Sequence, residues 1–377
     1  MFFNNNKNTK SHVHYQRFDV YLLFVTLLLV LIGMVMVFSS SAVSAQAHYN
    51  DSYYYLKKEV LFVVMGFFLM LLVKKIPYRL YLKIVYPFLF LNLVLLIVVL
   101  FFGHGGASEG VHRWLYVGPF SFQPSEMTKL SVIIFVAYAL AKKQEKIREF
   151  STGFLPVILI SSVYILLILA QKDLGAALTL GIIVLLMLFI AGTRLSYLAG
   201  AFLLSIPALY FLIFSVDFRR RRILAFLDPW KYQLDFGFQI IQSFVAFKEG
   251  GLLGAGLGEG KQKLFYLPEA HTDFIFSVVG EELGLVGVLL VVSLFVFFIF
   301  RGFLISLKSR DLFGLYLAFG LTSLIGVQAF INMGVVMGLL PTKGLALPFI
   351  SYGGSSMLVS FLIVGILLNI SMDTEGE

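Results

Sequence analysis

The stretch "DVYLLFVTLLLVLIGMVMVFSSS", Asp19 to Ser41, decides what kind of chain this is. After Asp19 it holds no charged residue, and apolar side chains cover every face of the helix it would form, where a helix packed in water shows one apolar stripe. At about 1.5 Å per residue, such a run of about 20 residues is long enough to cross roughly 30 Å of hydrocarbon.

Nine more runs of this kind follow, at approximately 55–73, 82–102, 125–141, 153–170, 174–192, 195–216, 274–300, 312–338 and 351–370. The 377 residues are 59% hydrophobic and 13% charged, with 40 Phe and a mean hydropathy of +0.91, far above a soluble domain. The expected fold is therefore all-α, a polytopic membrane helical bundle of about ten transmembrane helices, forming one domain over 1–377. An even number of spans puts both termini on one side. On that side 15 Lys and Arg fall in the tails and short loops, against six on the other side and eight in one long loop. The positive-inside bias makes 1–18 and 371–377 cytoplasmic tails and 217–273 a large extracytoplasmic loop. The same bias accounts for most of the net charge of +8, so no nucleic-acid partner is read from it. The absence of cysteine excludes disulfides, thiolate metal sites and a Cys nucleophile.

Loops as long as 217–273 usually carry function. Within it, Phe238, Ile241, Phe244 and Val245 recur at helical spacing, which predicts an amphipathic helix over Gly237 to Lys248 lying in the membrane interface. Glycines at 250, 251, 254, 256, 258 and 260 precede Lys261, but Gln262 follows where a phosphate loop needs Ser or Thr. A flexible turn for a re-entrant segment is expected there. Arg219, Arg220, Arg221 and Arg222 are adjacent cations that repel one another unless an anion sits among them; they either bind a substrate phosphate or anchor to headgroups.

Polar groups inside apolar runs are costly and therefore informative. Glu126 and Lys129 share a helical face at the mouth of the fourth span and either pair or support a site. Gln328 and Asn332, four apart in the ninth span, suit interhelical hydrogen bonding. Lys343 lies in "LLPTKGLALPFISYGGSS", a tight re-entrant turn ending beside Ser355. The densest cluster is "YLPEAHTDFIFSVVGEELG", Tyr266 to Gly284. A helix starting at Pro268 would put Glu269 and Asp273 on one face. Thr272 or Asp273 could instead cap the eighth span, and Glu269, His271 and Asp273 form a non-standard set for zinc. Glu281 and Glu282 lie deeper and are expected to pair within the bundle.

The motifs "YLPEAHTDFIF", "FLDPW" and "LPTKG", with "HRWLYVGPFSFQPSEMTKL", "QKDLGAALTL" and "GGLLGAGLGEGKQKL", resemble the shape, elongation, division and sporulation glycosyltransferases along the whole chain, more the FtsW division branch than the RodA elongation branch. Lys172 departs from the proline that the family usually has before the Asp. The resemblance implies a ten-span enzyme that polymerises lipid II into peptidoglycan at the outer face of the bacterial cytoplasmic membrane, with Asp273 catalytic. A pyrophosphate leaves well once neutralised, so a single base suffices. Arg219 to Arg222, Lys343, or a divalent cation such as Mg or Mn would neutralise it. Glu269 and His271 would support the base, and Glu126, Lys129 and Ser355 the site. The partner implied is a class B penicillin-binding protein within a larger division complex. A lipid II flippase would instead line charges along a path through the bundle, and a scaffold would tolerate loss of Asp273.

Overall fold

The computed structural model describes residues 18–105, 112–118, 120–268 and 270–374. The chain runs through α1 (Val20–Tyr49), α2 (Tyr54–Lys75), α3 (Tyr81–Phe102), α4 (Pro124–Lys142), α5 (Leu155–Ala170), α6 (Leu174–Ile190) and α7 (Leu195–Phe214). Two shorter helices follow, α8 (Asp217–Leu227) and α9 (Gly237–Gly250), and then α10 (Ile275–Lys308), α11 (Leu312–Val336) and α12 (Gly354–Thr374). Before α4, Leu115–Val117 (β1) pairs antiparallel with Phe120–Phe122 (β2). Each of the ten apolar runs falls on one long helix. By length and composition eight of these are suited to cross a membrane, while α6 is apolar but has only 17 residues. The apolar centre of α2 is bounded by Lys57, Lys58 and Glu59 at one end and Lys74 and Lys75 at the other.

Helices α4, α11 and α12 form the buried centre, with α11 against α4, α6 and α10 and α12 against α2. Helix α7 is different: it buries no residue and rests mainly on α6 and α8.

Helix α10 is broken at Gly284, whose φ of 65° and ψ of −163° are not helical. A break at membrane depth is tolerated only where other groups satisfy the freed backbone. The glycine-rich segment does this: Ala255 N and Gly256 N donate to the carbonyls of Glu281 and Glu282 at 2.9 and 3.1 Å. From the other side Leu285 N donates to Gly251 O at 3.0 Å. A side chain at Gly284 would meet Gly254 N at 2.3 Å, so the close approach requires glycine. The expected flexible turn is thus a docked strap.

Glu281 and Glu282 hold the same strap. Glu281 Oε1 accepts from Lys261 N at 2.7 Å and Gln262 N at 3.2 Å. Glu282 accepts from Ser39 Oγ at 2.7 Å, Gly258 N at 3.1 Å and Lys263 Nζ at 2.7 Å. Their partners therefore come from the loop itself and from α1.

Helix α9 forms over the expected residues and is amphipathic: Ile240, Ile241, Ser243, Ala246 and Gly250 are buried, Phe244 is exposed, and the helix packs on α10. Gly250 lies so close to α10 that a Cβ would meet Gly280 O at 1.9 Å, so this point of contact requires glycine. One local expectation is corrected: α10 starts at Ile275, with Phe274 in the N-cap position, and not at Pro268. The carbonyls of the preceding turn are taken by other elements: Tyr352 N donates to His271 O at 3.0 Å, Ser351 Oγ to Thr272 O at 2.6 Å and Asn332 Nδ2 to Asp273 O at 2.8 Å.

Candidate active site

A cavity of about 550 Å³ opens at the end of the bundle where α6 and α10 begin. Its walls carry Asp273 and Phe274, the Pro341 to Gly344 loop, Lys172 and Asp173 at the start of α6, and Arg113 before β1. Helix α8 adds Arg219 and Arg222, α9 adds Gln239, and Ile213 comes from α7. Five cationic side chains thus share one space with two carboxylates.

The four-arginine run divides according to helical geometry. Arg219 and Arg222, three apart, face the cavity, while Arg220 is exposed and Arg221 bonds Asp217 and Asp235 at 3.1 and 3.2 Å. Arg222 lies over Phe218 and Phe236, 4.4 and 5.1 Å from the ring centroids, and its buried Nε has no hydrogen-bond partner. Burial, and then the nearby Arg113 guanidinium, lower the pKa of both Arg219 and Arg222, while Asp273 acts in the opposite sense on Arg222. Burial also lowers the Lys343 ammonium to about 8, against an opposing pull from Asp173. Crowded, desolvated cations of this kind favour a bound anion.

Asp173 is held on two sides: it caps α6 by accepting from Ala176 N at 3.0 Å, and it accepts from Gln123 Nε2 at 3.2 Å. Lys172, just before it, takes the left-handed conformation with φ 62°. Lys172 N donates to Leu169 O at 3.0 Å and Asp173 N to Ile168 O at 3.2 Å, the Schellman pattern that ends α5. Arg113 fastens the same turn by donating to the carbonyls of Gln171 and Lys172. Asp273 faces the Lys343 loop so closely that a Cβ on Gly344 would lie 2.9 Å from its Oδ2.

Among the described residues, His271, Glu126, Lys129 and Ser355 are not part of the cavity lining. The His271 ring packs on Tyr55 and Tyr352, with centroids 4.5 and 5.8 Å away. Lys129, fully buried, donates to Glu126 at 2.7 Å near the start of α4. Ser355 Oγ accepts from Gln123 N at 3.0 Å and donates to Ser121 O at 3.3 Å, joining α12 to β2. Glu269 lies outside the described residues. Among the described residues no three His, Asp or Glu side chains cluster as metal ligands. Two carboxylates among five cations, one already a helix cap, do not fit a protein-held divalent cation. Arg113, Asp173 and Gln239 were not singled out from the sequence. For Asp173 there was a signal, since an Asp directly before the apolar run of α6 reads as an N-cap.

Comparison with known proteins agrees with this architecture. The model of the FtsW, RodA and SpoVE family, described as cell cycle protein, matches residues 19–376. A probable peptidoglycan glycosyltransferase FtsW from Geobacter sulfurreducens is 52% identical over 361 residues, covering 96% of this chain and 97% of that protein. Stage V sporulation protein E of Bacillus subtilis is 42% identical over 356 residues, covering 94% and 96%. Among solved structures, a chain of a peptidoglycan synthase complex that coordinates polymerization and crosslinking matches with a TM-score of 0.78 and 28% identity, over 96% of this chain and 99% of that one. The rod shape determining protein RodA of Thermus thermophilus matches with a TM-score of 0.71 and 25% identity, over 96% and 99%. With the whole bundle matched in sequence and in fold, this chain belongs to the FtsW, RodA and SpoVE family of cell cycle proteins.

Proposed function

We propose that this multi-pass membrane protein is the peptidoglycan glycosyltransferase of cell division, and that it polymerises lipid II in the cavity around Asp273. The observation that carries the reading is the pairing of one carboxylate, Asp273, with the half-buried cations Arg222, Arg219 and Lys343 in a single space. Asp273 takes the proton from the GlcNAc 4-hydroxyl of one substrate. The resulting oxygen attacks the anomeric carbon of MurNAc in another, breaking its bond to the pyrophosphate and inverting the α-linkage to a β-1,4 bond. Arg222, Arg219 and Lys343 stabilise the negative charge that collects on the departing undecaprenyl pyrophosphate.

The likeness to relatives carrying the FtsW name supports the division branch over elongation. The positive-inside bias supports a bacterial cytoplasmic membrane orientation with both termini inside and the cavity outside. The likeness to a complex that joins polymerization to crosslinking supports a class B penicillin-binding protein as partner. A flippase would need charged groups along the whole path across the bilayer, whereas the cations here gather at one end of the bundle.

The test is polymerisation of labelled lipid II in liposomes by the purified protein with its transpeptidase partner. Asp273→Asn and Asp273→Ala are expected to make no glycan strands while remaining folded. Strands made by folded Asp273→Asn at the wild-type rate would refute the mechanism.

A further inference from the structure

The two walls of the cavity that matter most for this chemistry are joined by one side chain. Asn332, in the last turns of α11 and only 2% exposed, uses its amide nitrogen twice. Nδ2 donates to Asp273 O at 2.8 Å and to Leu345 O at 2.6 Å. A carboxamide nitrogen has two hydrogens, so both are engaged, one on the segment that carries the carboxylate and one on the loop that carries Lys343. The loop side is short and stiff, because Leu345 N folds back onto Lys343 O at 3.0 Å. Gly344 then abuts the Asp273 carboxylate.

We propose that Asn332 is a positioning residue that fixes the spacing between Asp273 and the Lys343 loop, and so sets the distance from base to leaving-group cation. The proposal rests on the polymerisation reading of this cavity. An ordinary packing role does not explain the choice of residue. Asn332 Oδ1 is buried without a hydrogen-bond partner, a cost that a leucine of similar size would avoid. What the amide adds over leucine is the pair of donors: one ends on Asp273, which lines the cavity, and the other on Leu345, the residue that follows the lining loop Pro341 to Gly344. Ser351 and Tyr352 hold the neighbouring carbonyls of Thr272 and His271, so the turn retains two of its three anchors when Asn332 is changed. The consequence is specific: losing Asn332 loosens the spacing without dismantling the turn.

Steady-state polymerisation of lipid II, normalised to folded protein, tests this with Asn332→Leu (no donor), Asn332→Ser (one short donor) and Asn332→Gln (both donors kept). A misplacement of about 1 Å is enough to cost on the order of 100-fold in rate. Leu and Ser are therefore expected to lower kcat by about tenfold or more, with KM changed much less, and Gln to recover part of kcat. If folded Asn332→Leu and Asn332→Ser turn over within about twofold of wild type while Asp273→Asn is inactive, the positioning role is wrong and the polymerisation reading stands. An active Asp273→Asn would instead sink that reading. A fall in melting temperature with unchanged kcat per folded molecule overturns the proposal too. If no Asn332 variant folds, Gly344→Ala takes over the test, because its methyl group pushes the same carboxylate off the same loop. Loss of kcat at normal stability is expected, and unchanged kcat overturns the proposal.

Discussion

Two clusters of charge flank the same turn, and they are built in opposite ways. Around Glu281 and Glu282 each carboxylate meets donors from the strap, from α1 or from Lys263, and the Lys263 and Glu282 side chains are 6% and 0% exposed. Around Asp273 the cations outnumber the acids, Arg222 Nε lacks a partner, and burial opposes the charge on Lys343. The first arrangement is complete and holds the chain together. The second is short of negative charge, and a pyrophosphate would supply it. Apolar surroundings raise the cost of a buried charge in both places, so the difference in partners, and not in burial, separates a structural cluster from a site.

The largest expected effect lies in the second cluster. Asp273→Asn keeps shape and removes the proposed base, so lipid II polymerisation should fall by about 100-fold or more while the melting temperature stays at the wild-type value. The first cluster should respond in reverse. Glu282→Ala leaves Lys263 buried without its carboxylate, which costs about 3–5 kcal/mol of stability. Adding Lys263→Met to Glu282→Met should restore most of it, because an apolar pair of similar volume is often neutral. Thermal unfolding in detergent reads both; an unchanged melting temperature for Glu282→Ala would erase the distinction between the clusters.

Much of this was legible in the sequence. The ten apolar runs map onto helices because hydrocarbon imposes length and composition directly, without reference to tertiary contacts. The turn that presents Asp273 was not legible. A proline followed by a helical spacing suggested a start at Pro268, but the carbonyls of His271, Thr272 and Asp273 are captured by residues from Asn332 to Tyr352, about 60 to 80 positions away. No local pattern encodes that capture. The split of the arginine run was accessible in principle, since three-residue spacing places Arg219 and Arg222 on one face. Lys172 illustrates a limit of resemblance: proline cannot take a φ of 62°, so the proline that the resemblance leads one to expect could not close this turn as the left-handed Lys172 does.

The ammonium of Lys343 offers a smaller effect that sharpens the comparison through pH. Its pKa in the folded protein, about 8, lies below the ordinary lysine value, so the cation is present below that pH and lost as pH rises through it. If Lys343 binds the pyrophosphate, KM for lipid II should rise above pH about 8 in the wild type. Lys343→Arg should move this limb well upward, because guanidinium stays charged. The sign for stability is opposite to that for binding. Above pH about 8 the folded protein holds fewer protons than the unfolded chain, so stability should rise with pH until free lysine also titrates. A KM independent of pH up to 9 or so would place Lys343 outside the anion site.

The smallest effect should set stability against binding at a single residue. Lys172 belongs to both kinds of region: its backbone closes the Schellman turn after α5, and its side chain lines the cavity. A left-handed backbone costs a non-glycine residue about 1 kcal/mol, and glycine adopts it freely. Lys172→Gly should therefore raise stability, by less than about 1 kcal/mol because glycine also gains freedom in the unfolded chain. The same change removes one of the cavity's five cations, so KM for lipid II should rise modestly. A purely structural residue would show only the gain in stability. Stability and KM rising together in one variant would show that the strained turn is retained for the charge it presents.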